Sequence, residues 1–76
     1  MARLTSYQTM IREGMARIGR IGEAAPNQVE AWMRLEHGTL DGLSRADFAR
    51  EIAAALDCIA ASTPAENADL ALSFGL

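Results

Sequence analysis

The chain has 76 residues, a net charge of −3, 50% apolar residues and 22% charged ones, a balance too apolar for disorder and a length that makes one domain, 1–76, with one small core. A single cysteine excludes an internal disulfide and a cysteine-rich zinc site and suits a reducing cytoplasm. No apolar run approaches the roughly 20 residues of a membrane span, and the start MARLTS lacks the apolar region of a secretory signal, so a cytoplasmic location is expected.

Charge is unevenly placed. Residues 1–20 carry four arginines against one glutamate, a balance of +3, and residues 21–76 carry three arginines against nine acids, a balance of −6. Most of the chain should repel a phosphate backbone, and only its first helix is suited to touch one. All seven basic residues are arginine and alanine is abundant, the bias of a GC-rich bacterial genome.

In chain order, Thr5-Ser6-Tyr7-Gln8 has capping-box spacing, with Thr5 at N-cap and Gln8 at N3. Leu4, Tyr7, Ile11, Met15 and Ile18 follow at three- and four-residue steps and predict a first helix over about 6–19. Gly14 lies near the edge of its apolar face, where it either weakens the helix or admits a close neighbour, and Gly19 and Gly22 mark its end. Arg3, Arg17 and Arg20 fall on one side of the wheel and read as a solvated rim. Pro26 suits the first turn of the next helix, and Asn27 with Glu30 offers a cap pair. Val29, Trp32, Met33 and Leu35 supply an apolar face over about 27–37, with Gly38 placed as a C′ glycine. TLDGL is then a turn centred on Asp41-Gly42.

The strongest signals lie between Leu43 and Ala61. Ser44 is a good N-cap, Asp47 closes the Ser-x-x-Asp form of the capping box, and Leu43 and Phe48 have the spacing of a hydrophobic staple. Phe48, Ile52, Ala55, Leu56 and Ile59 share one face of a helix over 45–61, with Asp47, Arg50, Glu51 and Asp57 opposite, and this helix is expected to be the central element. Thr63-Pro64-Ala65-Glu66 repeats the capping logic for a fourth helix over 64–73, which should bury Leu70, Ala71 and Phe74, or Leu72. The fold class is therefore all-α, a compact bundle of four short helices.

The stretch VEAWMRLEHGTLDGL, from Val29 to Leu43, with Phe48, Ile52, Cys58 and Ile59 behind it, resembles small proteins of bacteriophages and prophages in GC-rich bacteria. The likeness runs over about residues 28–76 and includes the ending SFGL. That group has no established activity, so the resemblance carries over no catalytic or binding residue. It implies a mobile-element origin and an accessory protein that acts on host machinery.

His37 is the only histidine and stands at a helix end, where interaction with the helix dipole or a turn hydrogen bond is the simpler role, since a metal site generally needs three or four ligands. Cys58 sits beside an apolar stripe among alanines and reads as a small buried hydrophobe rather than the partner of His37 in a catalytic dyad. No phosphate-cradling glycine loop is present. Catalytic residues, cofactors and metals are accordingly not expected. Trp32 reads as core or as an interface anchor, and Met1, Met10, Met15 and Met33 as core filler or an adaptable surface.

These observations favour a non-enzymatic protein-binding module, a phage or mobile-element protein that inhibits or adapts a host protein. Its sharpest form is an anti-defence protein of anti-CRISPR type that competes for a nucleic-acid-handling site through an acidic face. The expected partner-binding residues are Asp47, Arg50, Glu51 and Asp57 with Trp32 and Glu36. The alternative is a helix-turn-helix regulator built on helices two and three. Asp47 and Glu51 would then face the phosphates near the start of the recognition helix, which disfavours direct DNA contact. The alanine-rich segment 52–61 would also let a second copy approach closely, so a homodimer stays open.

Overall fold

A computed structural model describes residues 6–38 and 40–76; Arg3, Leu4 and Thr5, expected in the first helix's rim, core face and cap, lie outside them. The described chain is all-α: α1 (Ser6–Arg17), α2 (Pro26–His37), α3 (Arg45–Ala61) and α4 (Pro64–Ser73).

Local chemistry sets each boundary. α1 stops two residues short of the predicted end because Gly19 takes a φ of 73°. Its N–H then bonds Ala16 O at 3.1 Å while Arg20 N–H reaches Met15 O at 2.9 Å, the paired bonds of a Schellman motif. α2 begins at Pro26 behind Ala25, which has no capping side chain. The expected Asn27–Glu30 cap pair does not form, because the Glu30 side chain turns into the interior. Gly38, with a φ of 71°, closes α2 through a 2.7 Å bond to Arg34 O.

The N3 partners of the two remaining N-caps, Asp47 and Glu66, differ by one methylene. Thr63 and Glu66 make the full box, with Thr63 Oγ1 accepting from Glu66 N–H at 3.1 Å and Glu66 Oε1 accepting from Thr63 N–H at 2.9 Å. The Thr63 backbone N–H, and then its hydroxyl, hold the Glu66 carboxyl below the usual glutamate range. In α3, Ser44 Oγ accepts from Asp47 N–H at 3.1 Å, but the shorter Asp47 side chain accepts from Arg50 at 2.8 Å instead of returning to the cap.

One core cluster joins Ile11 and Met15 of α1, Val29 and Met33 of α2, and Ile52, Ala55 and Leu56 of α3. Leu40 in the turn completes it at 3% exposure, a residue that no helical periodicity marks. Tyr7, Ile18, Trp32, Phe48 and Ile59 pack half-buried against it. Fully burying one such aliphatic side chain contributes about 1.5–3 kcal/mol.

The centre of the bundle is α2, a correction to the expectation for α3. α2 packs against each of the other three helices, whereas α3 packs against α1 and α2, and α4 principally against α2. The physical reason is breadth: Val29, Glu30, Ala31 and Met33 are all buried and Trp32 half-buried, more than a single-faced stripe can hide. α4 covers only one strip of α2 with Asn67 and Ala71, so Phe74 stays 40% exposed and Leu72 72% exposed. Leu35 likewise faces solvent at 55%. Gly14 is a packing glycine, since a methyl group there would overlap Ile52 Cδ1 across the α1–α3 contact.

Three polar residues complete the interior. Glu30 accepts from Gln8 Nε2 at 3.1 Å and from Arg34 Nε at 2.8 Å, and Arg34 also lies over the Tyr7 ring at 5.3 Å. Asn67 accepts from Trp32 Nε1 at 3.0 Å and donates to Ile59 O at 3.1 Å, so one amide ties α2, α3 and α4 together. Among the described residues no buried side-chain polar atom lacks a partner.

Candidate functional site

The acids expected to form a negative face on α3 are each engaged by a basic side chain. Asp47 pairs with Arg50 at 2.8 Å, Glu51 with His37 Nε2 at 2.7 Å and Asp57 with Arg20 at 2.9 Å. Arg20 is therefore not part of a solvated rim: its guanidinium bonds Glu23 and Asp57 and reaches Ala53 O at 3.4 Å, and the two carboxylates make it hold its proton more firmly. Asp57 also points along a different flank, because six residues of helix turn it about 120° from Glu51.

Trp32, Glu36 and Glu51 do come together, in a shallow cleft between α2 and α3 that Ala54 and Cys58 also line. Its volume is about 10 Å³, the room of one water, so it holds no substrate-sized molecule. The Trp32 indole N–H is spent on Asn67, which leaves the ring face as its available surface.

His37 ends α2 and hydrogen-bonds Glu51, and that bond first, with the Glu51 and Glu36 charges behind it, raises its pKa against the opposing effect of burial. The His37–Cys58 dyad is not assembled, since Nε2 is engaged by Glu51 and the thiol is half-buried on α3. What the fold does assemble is Glu36, His37 and Glu51, whose donor atoms lie within 4.8 Å of one another.

A second surface has no signature in the sequence. Between α1 and the start of α3 runs a groove of about 240 Å³ with Met10, Gly14, Leu43 and Phe48 as its apolar lining and Arg17 and Arg45 beside them. Met10 is 50% exposed. Neither Arg17 nor Arg45 forms an ion pair with a described residue, and Glu13 stands on the α1 wall. The positive end of α3 opens at the same place, with Ser44 on the lining. Met10 lies off the α1 core stripe and Leu43 in a turn, so no single period groups these residues.

No known protein family, curated protein or solved structure matches the chain. Among the described residues no helix is long and apolar enough to cross a membrane.

Proposed function

We propose that this chain is a non-enzymatic protein-binding module whose α1–α3 groove seats an apolar side chain of a partner protein while Arg17 and Arg45 meet carboxylates flanking it. The groove carries the reading: it is large enough for one or two side chains, it is lined by an exposed methionine and a phenylalanine, and its two arginines have no partner of their own among the described residues. Such an apolar seat supplies affinity, and rim charges of this kind chiefly set on-rate and orientation.

The partners of Asp47, Glu51 and Asp57 weaken the version in which an acidic α3 face imitates nucleic acid, because Arg50 and Arg20 cancel much of the field of Asp47 and Asp57 and His37 occupies the Glu51 carboxylate. The phage resemblance supports a host protein as the partner, with inhibition of a host defence complex, a CRISPR effector included, as its sharpest form.

The test is an affinity capture from lysate of a GC-rich bacterial host, with and without nuclease, using wild type, Arg17→Glu/Arg45→Glu and Met10→Asp. A protein retained after nuclease and lost with both variants supports the groove. The same protein retained by both variants refutes the groove, and capture that depends on nucleic acid transfers the assignment to a DNA-binding regulator.

A further inference from the structure

Glu36 and His37 close the last turn of α2, and Glu51 stands opposite them on α3. One carboxylate oxygen of each glutamate and one imidazole nitrogen lie within 4.8 Å of one another, and all three side chains reach solvent. We infer that Glu36, His37 and Glu51 form a site for one divalent transition-metal ion of the zinc class, with water filling the remaining positions.

Three observations carry this beyond a surface ion pair. The donor set is one imidazole and two carboxylates, which suits Zn²⁺ and its neighbours and gives little to Mg²⁺ or Ca²⁺, which prefer oxygen alone. The His37–Glu51 bond accounts for two of the residues, but Glu36 has no cationic partner among the described residues, so the cluster keeps a surplus of negative charge. The negative end of the α2 dipole adds to that surplus at the same point.

The donors also stand on two helices that pack directly against each other, so the site is largely formed before an ion arrives. Binding replaces any proton on the ligating imidazole nitrogen, which passes to solvent, and exchanges one hydrogen bond for three metal–ligand bonds that tie the end of α2 to α3. Cys58, about two turns further along α3, stands outside the donor set.

The test is calorimetric titration of untagged protein with ZnCl2 in a buffer free of phosphate and chelators, with thermal melts alongside. Wild type should take up one equivalent and melt at a higher temperature when loaded. Glu36→Gln removes no bond within the described fold, yet it should weaken zinc binding at least about tenfold, as should His37→Gln. Cys58→Ser should bind as wild type does, and MgCl2 should not compete. The site is refuted by no uptake at about 0.1 mM ZnCl2, by equal binding of wild type and Glu36→Gln or His37→Gln, or by loss of binding in Cys58→Ser.

Discussion

The interior depends on single polar side chains in a way their residue types conceal. Asn67 is 5% exposed and holds the Trp32 indole N–H and the Ile59 carbonyl at once. Asn67→Ala should cost about 1–3 kcal/mol, because the Trp32 indole N–H and the Ile59 carbonyl both lose their partner. A thermal melt reads the loss, and a shift of Trp32 emission to longer wavelength should accompany it. Neither this amide nor the Gln8–Glu30 bond is legible in the sequence. Glutamine, glutamate and asparagine are solvated by default, and the partners here stand 22 and 35 residues away. The apolar positions Ile11, Val29, Ile52 and Leu56 are legible, because period alone places them.

At the scale of the helix, capping and close approach are decided within a few residues. The spans 45–61 and 64–73 were readable to the residue, since Ser44 and Thr63 are local signals that no distant contact overrides. Ala25, which caps nothing, and the Schellman closure at Gly19 shifted the other boundaries.

Glu66 gives a pH test. Its folded pKa lies below the ordinary glutamate value, so its contribution is present above that ordinary value and is lost as pH falls through the folded one. The melting-temperature gap between wild type and Glu66→Gln should therefore be widest near neutrality and close on acidification. Gly14 gives a packing test. Gly14→Ala gains up to about 1 kcal/mol of helix propensity but overlaps Ile52 Cδ1, a clash that costs about 1–3 kcal/mol. It should lower the melting temperature alone and raise it in an Ile52→Val background, where that methyl is gone. Stabilisation in both backgrounds would show that Ile52 yields without cost.

For the whole molecule, fold class was legible because four separate amphipathic segments with short joints leave few alternatives to a helical bundle. The packing order was not, since Val29, Trp32, Met33 and Leu35 read as one apolar face, whereas the fold buries Val29, Glu30, Ala31 and Met33 and leaves Leu35 exposed. The groove and the Glu36–His37–Glu51 cluster stayed hidden for the same reason: each gathers residues from two elements whose mutual position the sequence does not state.

The arrangement around α2 also predicts how the molecule opens. α4 is held mainly to one helix, through Ala71 and the Asn67–Trp32 bond, and it leaves Leu72 and Phe74 in water. It is the piece that can detach while α1, α2 and α3 keep their shared core. Native-state hydrogen exchange should show the amides of α4 exchanging through a local opening of lower free energy than those around Ile11, Met33 and Ile52. Asn67→Ala should speed exchange in α4 more than in α1, which would mark the fourth helix as a separate cooperative unit.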